Sequence, residues 1–539
     1  MINILKKNIL VTLILSFAVY VFFSVYFHFI NNIFFIQNID SAGYVNLVTN
    51  VSNGNGMVSS IFNSYYSLLP TLTMSGDDYC TYDMGEAYSE QSFFRWHAHL
   101  ITYLIAIFVK IGFPSLSVVI SINTIGLIGA MFVPIIYLKY KKVPLIIILG
   151  FFLCLFFWIP LSEAIFGQLY IEKIYPLLMV SIILLSYEYL NNEKLKKNIL
   201  KYIVILTFIA ILISERASMM TGMFFMSYTI LFSGIKFYKN RKAKNLFFLG
   251  IVGFGWYLIY TIFFYDSPYA SSFDISNIKN NLKAIFDYGS NYNLLVIKLL
   301  IVVFPMLIIS AFGRQILIIA IFSLIPNLIL NIGGALKTGF TSHYHMMYIP
   351  FLISAATISI LELNHYIKVY FGSDHKKKLI SSSLLLIVLL GFTFFNMKYE
   401  PYNLKPISFN FDKQSYLYDV ITKDINYDRK LKDINLSEFL KTENSNDIKI
   451  SSSSWLMPFL SDIENVKVNS FPIGIYDSDF ILLPMKIDSE NIDLPSYLSP
   501  DLDKEQKQEC IKDYLKLNYR LEFKSKETTP KIYLYKRIE

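Results

Sequence analysis

The sequence predicts a polytopic α-helical membrane protein with about eleven crossings and a small α/β domain at its C-terminal end. Three observations carry that expectation. Apolar runs recur along the first three quarters of the chain, many near the length a ~30 Å hydrocarbon core needs and some short enough to require local thinning. Only 16% of the 539 residues are charged while 54% are hydrophobic, against about 25% charged in soluble domains. After residue 395 the chain changes to mixed polar sequence with short β-like runs.

Ile9–Ile30 is the first apolar run and carries no Asp, Glu, Lys or Arg. Residues 31–114 form a long loop, with Asp40 near its start in Asn38-Ile-Asp40-Ser-Ala-Gly-Tyr. A carboxylate just outside a span, followed by a loop rich in aromatics and acids, suggests chemistry at the membrane surface. Asp is also a favoured helix cap, and capping accounts for its position equally well. The later runs are Leu116–Leu138, Val143–Pro160, Ile174–Tyr187, Ile199–Ile213, Ala217–Ile235, Leu246–Phe264, Leu294–Phe312, Ile316–Leu330, Met346–Leu361 and Leu379–Phe395. In the tail, Ile448–Ser451, Val466–Asn469, Phe480–Leu483, Tyr519–Phe523 and Lys531–Tyr535 read as strands. Gln414–Ile421, Trp455–Leu460 and Lys504–Tyr514 read as helices. The domains expected are 1–395, a transmembrane domain containing the 31–114 loop with interfacial helices, and 396–539, an α/β domain.

The lysines orient the chain. Lys6-Lys7, Lys139 with Lys141-Lys142, Lys194 to Lys201, Lys236 to Lys244, Arg314, and Lys368 with Lys376 to Lys378 all fall on one side if the N-terminus is cytoplasmic. That is the positive-inside pattern of a multi-pass inner (cell) membrane protein whose C-terminal domain is extracytoplasmic. The same count makes Trp96 to Gly112 an interfacial or re-entrant helix, because one more crossing would invert every later lysine cluster. The net charge of +8 is therefore a membrane signature and not a sign of nucleic acid. Cys80, Cys154 and Cys510 form no disulfide framework; a Cys80–Cys510 bridge and unpaired thiols both remain open.

No phosphate-cradling glycine loop, nucleophile elbow or His-Glu-x-x-His is present. The chemistry-bearing residues instead gather where runs meet the outer surface: Asp40, Asp77-Asp78, Glu86, Glu90, His97, His99, Glu163, Glu172, Lys173, Glu215, Arg216, His343 and His345. Ionisable groups at such positions are costly unless hydrated or paired, which suggests one polar cavity. A planar guanidinium at Arg216 suits a lipid-linked phosphate, with Lys173 as a second ligand. Local pairing of Glu215 with Arg216 and of Glu172 with Lys173 explains the same residues without a ligand. His97-Ala-His99 is a weak metal signal, and His343-Tyr-His345 also fits an interfacial anchor.

Taken together, these segments resemble the GT-C superfamily of polytopic membrane glycosyltransferases. They are most similar to a bacterial and archaeal family of multi-spanning membrane proteins of unassigned activity related to that superfamily. The resemblance rests on the early Asp40, Trp96-His-Ala-His99-Leu, Glu172-Lys-Ile-Tyr-Pro176, Ser214-Glu-Arg216, Ser342-His-Tyr-His345 before Ile349-Pro-Phe-Leu, and a tail with Ile448-Lys-Ile-Ser-Ser-Ser-Ser-Trp, Phe471-Pro472 and Asp477-Ser-Asp479-Phe. Arg216 departs from it, standing where an acidic residue is expected after Glu215.

The resemblance implies an enzyme that moves a sugar from a polyprenyl-phosphate-linked donor to a glycan, lipid or protein acceptor on the outer side. Asp40 would be the general base. Arg216, Lys173, His97, His99, Glu172, Glu215, His343 and His345 would bind substrate and its phosphate. Some members use Mg²⁺ or Mn²⁺, and the resemblance assigns no metal ligands here. The rival readings are a lipid-carrier or solute transporter (a flippase) and a non-catalytic membrane scaffold.

Overall fold

The computed structural model describes residues 16–22, 39–63, 92–166, 169–191, 196–265, 275–287, 291–329, 343–371, 375–398, 448–453, 456–460, 466–483, 486–487, 504–524 and 532–538. The described chain is mostly helical with a small C-terminal sheet. In order the helices are α1 (Ile39–Ser52), α2 (Ser60–Asn63), α3 (Ile101–Lys110), α4 (Ser115–Tyr140), α5 (Leu145–Phe156), α6 (Ile159–Phe166), α7 (Tyr175–Asn191), α8 (Lys196–Ile211) and α9 (Glu215–Ser233). They continue with α10 (Arg241–Phe263), α11 (Ile275–Phe286), α12 (Asn291–Ile309), α13 (Arg314–Ile329), α14 (Ile349–Phe371) and α15 (His375–Lys398). The tail adds α16 (Met457–Leu460) and α17 (Lys504–Asn518).

Four helical segments among the described residues are long and apolar enough to cross a bilayer: Ser115–Tyr140, Ile171–Asn191, Arg241–Phe263 and His345–Tyr370. Each of the ten apolar runs after the first is helical, and several helices are shorter than a straight crossing needs. Most of the first run, Ile9–Ile30, lies outside the described residues. Val143–Pro160 is not one helix. It stops at Phe156 and restarts at Ile159, with Pro160 in the first turn where its missing N–H costs nothing.

Trp96–Gly112 contains only the ten-residue α3. Ile101, Thr102, Ile105 and Ala106 are buried, while Tyr103, Leu104, Ile107 and Phe108 are exposed. This apolar helix is shorter than a straight crossing needs.

Small residues let the bundle close tightly. A Cβ at Gly222 of α9 would lie 2.4 Å from the backbone nitrogen of Phe254 in α10, and Ser218 donates to the Gly253 carbonyl at 2.7 Å. Close approach of this kind, with a side-chain hydrogen bond across the seam, is how helices associate where lipid replaces water.

The tail sheet has five strands, β1 (Ile448–Ser452), β2 (Val466–Ser470), β3 (Phe480–Leu483), β4 (Tyr519–Lys524) and β5 (Tyr533–Arg537). Their spatial order is β2-β1-β3-β5-β4; the first three are parallel and the last two pair antiparallel. Side chains alternate between its faces, as strand geometry requires. Ile481, Leu483, Tyr533 and Tyr535 pack with Ile511 and Leu515 of α17, while Ile448, Ile450, Phe480, Leu482 and Leu534 form the opposite layer.

That opposite layer is completed by Ala42 of α1 and Ile61 of α2, and Ser60 Oγ donates to the Val468 carbonyl at 3.0 Å. The other side of α1, through Tyr44, Val45, Leu47 and Val48, belongs to the core of the helical bundle. Residues 41–50 are accordingly buried all round, and that stretch of α1 has no solvent face. The tail sheet therefore shares a core with the first loop. A division of the chain at residue 395 does not divide its packing.

Candidate functional site

Hydrogen bonds fix the depth of Asp40. Thr49 Oγ1, near the end of α1, donates to Ser115 Oγ at the start of α4 over 2.8 Å. At the other end of α1, Ser41 Oγ accepts from the Leu169 amide at 3.0 Å, and the next amide, Tyr170 N, donates to Asn123 Oδ1 of α4 at 2.8 Å. The two anchor points are eight residues apart on each helix, about 12 Å at 1.5 Å per residue. Helices α1 and α4 are thus antiparallel, and the N-terminus of α1 points down into the bundle. Asp40, in the first turn of α1, lies about two turns below the start of α4. Its Oδ2 accepts the Tyr170 hydroxyl at 2.7 Å, and the helix N-terminus favours its negative charge.

The segment carrying Tyr170 runs inward as well. Tyr170 is extended (φ −137°, ψ 135°) and leads into a 3-10 turn, Ile171–Ile174, that lies against Gly126 of α4. Glu172 and Lys173 are both fully or almost fully buried there. Most of the described part of Leu161–Lys173 is buried within the bundle. Lys173 Nζ donates to the Ala164 carbonyl at 2.7 Å. Glu172 interacts with Arg216, His97 and Glu215 and is hydrogen-bonded by Ser214.

A second cluster surrounds the corner between α8 and α9. Ser214 caps α9, accepting from the Ala217 amide, and places Glu215 in the first turn. Glu215 Oε1 is 2.9 Å from His97 Nδ1, its Oε2 accepts the Ala98 amide at 3.0 Å, and Arg216 Nε is 3.8 Å from Oε1. The corner is further joined to the 96–101 turn by the Ile101 amide, which donates to the Leu212 carbonyl at 2.7 Å. His99 Nδ1 donates to the Ile213 carbonyl, so its Nε2 accepts the Tyr44 hydroxyl at 3.2 Å. Burial, and then the neighbouring His97, push the His99 imidazole down to about 3, which keeps that tautomer neutral at ordinary pH.

Rings join the two clusters. Tyr170 meets Tyr44 edge-on at 5.7 Å, Tyr44 meets His99 at 5.4 Å, and His99 lies 5.5 Å from His97. Asp40 and Glu215 are therefore the two ends of one aromatic wall, and each acid has its own hydrogen-bond partners.

The remaining candidates fall nearby. His345 is buried, with Nδ1 hydrogen-bonded to Tyr348 Oη at 3.1 Å, and its 3-10 turn (His343–Met347) packs on the Ile171–Ile174 turn and on α9. The side chains of His343 and Glu163, and the segment with Asp77-Asp78, Glu86 and Glu90, lie outside the described residues.

A divalent cation does not fit the described residues. No group of three or more His, Cys, Asp or Glu side chains converges among them. Both nitrogens of His99 and both oxygens of Glu215 are already engaged.

Tyr44, Asn123, Gly126 and Tyr170 escaped the sequence reading. Two of them carried a signal. Asn123 is an amide within the apolar Leu116–Leu138 run, where a polar side chain demands a partner. Tyr44 stands four residues after Asp40, on the same face of a helix. Tyr170 and Gly126 matter only through contacts with distant segments, which no local pattern encodes.

The chain matches no protein-family model, and no curated protein matches it at a significant level.

Proposed function

We propose that this protein is a membrane glycosyltransferase of GT-C type. It transfers a sugar from a polyprenyl-phosphate-linked donor to an acceptor on the outer side of the inner membrane. The observation that carries the reading is the placement of Asp40. A carboxylate held by Tyr170 at the inward-pointing end of a buried helix is joined by one wall of rings to His97, and through Glu215 to the Arg216 guanidinium, which supports assigning a base and a phosphate ligand to one region. Asp40 takes the acceptor hydroxyl proton as that oxygen attacks the anomeric carbon. Arg216 stabilises the departing carrier phosphate. In this reading the chain crosses the membrane about eleven times, the shorter helices doing so in locally thinned bilayer. The lysine-rich end faces the cytoplasm.

Mass analysis of envelope glycans and polyprenyl-phosphate lipids in cells carrying Asp40→Asn tests the proposal. The variant inserts normally and the glycan modification disappears, with the loaded carrier accumulating. Unchanged modification removes Asp40 as the base.

One observation favours a second reading. Glu172 and Lys173 are buried beside an interrupted stretch between α6 and α7, and buried charges at broken helices are the mark of transporters. A solute or lipid-carrier transporter would change the distribution of the carrier between leaflets and leave glycan chemistry intact in vitro.

A further inference from the structure

Glu215 does more than hold a turn together. The Ile101–Leu212, His99–Ile213 and Ala98–Glu215 bonds already join the 96–101 segment to the α8–α9 corner. The Glu215–His97 contact is different in kind, because both partners are side chains that can gain or lose a proton. A carboxylate accepting from Nδ1 fixes the imidazole's orientation and makes Nε2 the nitrogen through which a proton passes, the logic by which acids orient catalytic histidines. Exposure separates the two histidines. The His97 side chain keeps 12% of its surface accessible, whereas His99 keeps none. The groups facing His97 are Glu215 and Arg216 of α9, Glu172 of the inward 3-10 turn, His99 of its own segment and the ring of Phe93.

We propose that Glu215 and His97 form a carboxylate–imidazole dyad in which His97 Nε2 delivers the proton to the leaving group, with Glu215 as its positioning residue. This rests on the transferase reading and gives it an acid to set against the base. The acceptor O–H loses its proton to Asp40 as its oxygen bonds to the anomeric carbon. The bond from that carbon to the carrier's phosphate oxygen breaks with the electron pair staying on that oxygen. His97 Nε2–H then protonates it. Water afterwards takes the proton from Asp40 and returns one to His97, so both groups are reset. Arg216 holds the phosphate while its charge grows.

Diethyl pyrocarbonate, which acylates neutral imidazole, tests the dyad on full-length protein in lipid nanodiscs from pH 5 to 8, with each modified histidine located by tandem mass spectrometry. His97 is acylated and His99 is not. Glu215→Gln, which removes the carboxylate that faces Nδ1, raises His97 acylation at the acid end of the range. Arg216→Gln lowers it. If Glu215→Gln does not fold, Arg216→Gln decides alone. Superimposable profiles in native and variant proteins, or a His97 that is never acylated, overturn the dyad. In cells, His97→Gln loses glycan modification, and full modification in that variant overturns its role as acid while leaving the transferase standing. Conversely, shifted acylation profiles together with an inert Asp40→Asn phenotype sink the transferase and spare the dyad.

Discussion

The two ends of the helical bundle treat buried acids in opposite ways. At the lysine-rich end, Glu188 takes the Tyr137 hydroxyl and the Lys141 ammonium, and Glu362 takes the Tyr187 hydroxyl and Arg314, each of those two at 2.6 Å. Tyr187 and Glu188 are neighbours on α7, so the two sets tie α4, α7, α14 and α13 into one bolt. Each carboxylate there has a permanent cation and a phenol. At the other end Asp40 is held by a phenol, and Glu215 by a histidine and a backbone amide, with Arg216 farther off at 3.8 Å. The phenol and imidazole partners there can exchange protons. A bolt neutralises its acids in place, and a site keeps them responsive.

The largest effect expected is on the seam that carries the site inward. A Cβ at Gly126 would lie 2.2 Å from the Lys173 carbonyl oxygen and 2.5 Å from the Ile174 Cα, and neither atom is the end of a flexible side chain. Gly126→Val costs about 3 kcal/mol and lowers folding yield and, on the proposed transferase reading, glycan modification, read by thermal unfolding in detergent and by glycan analysis. A native melting curve would show that the inward turn is not packed there.

Glu362→Gln sharpens the contrast from the bolt side. It removes the charged acceptor of a half-exposed Arg314, so water compensates part of the loss and the cost is about 1–2 kcal/mol. The melting temperature falls while glycan output per folded molecule is unchanged. Lost output at an unchanged melting temperature would make this end part of the site.

Tyr170→Phe is the mirror case, with the smallest effect on stability, within about 1 kcal/mol. Asp40 keeps its charge and loses its fixed orientation, so turnover falls by about tenfold. Equal turnover in variant and native protein would reduce Tyr170 to packing.

Three strands of the tail were legible almost residue by residue. Ile448–Ser451, Val466–Asn469 and Phe480–Leu483 become β1, β2 and β3 with at most one residue added, because alternation with β-branched and aromatic residues encodes a strand locally. Gln414–Ile421 lies outside the described residues. The later apolar runs were legible as helices for the same local reason. The reading of Trp96–Gly112 stood instead on a chain-wide pattern, the alternation of lysine clusters, and the structure gives it one ten-residue helix. What the sequence hid is how segments dock. Tyr170 binds Asp40 across 130 positions and His97 meets Glu215 across 118. The descent of residues 169–174 depends on Gly126 making room and Asn123 offering a carbonyl, and neither residue announces its partner.

The shared core of α1 and the tail sheet has a consequence for synthesis. Ser60 and Val468 are 408 residues apart in the chain, which a ribosome making about 5–20 residues per second takes roughly 20–80 s to cover. Throughout that interval Ala42 and Ile61 wait with their apolar faces uncovered. The helix bearing Asp40 is among the first parts made and among the last to be finished. A chain that stops before β1 would insert its bundle and still leave Asp40 on a helix packed on one side alone.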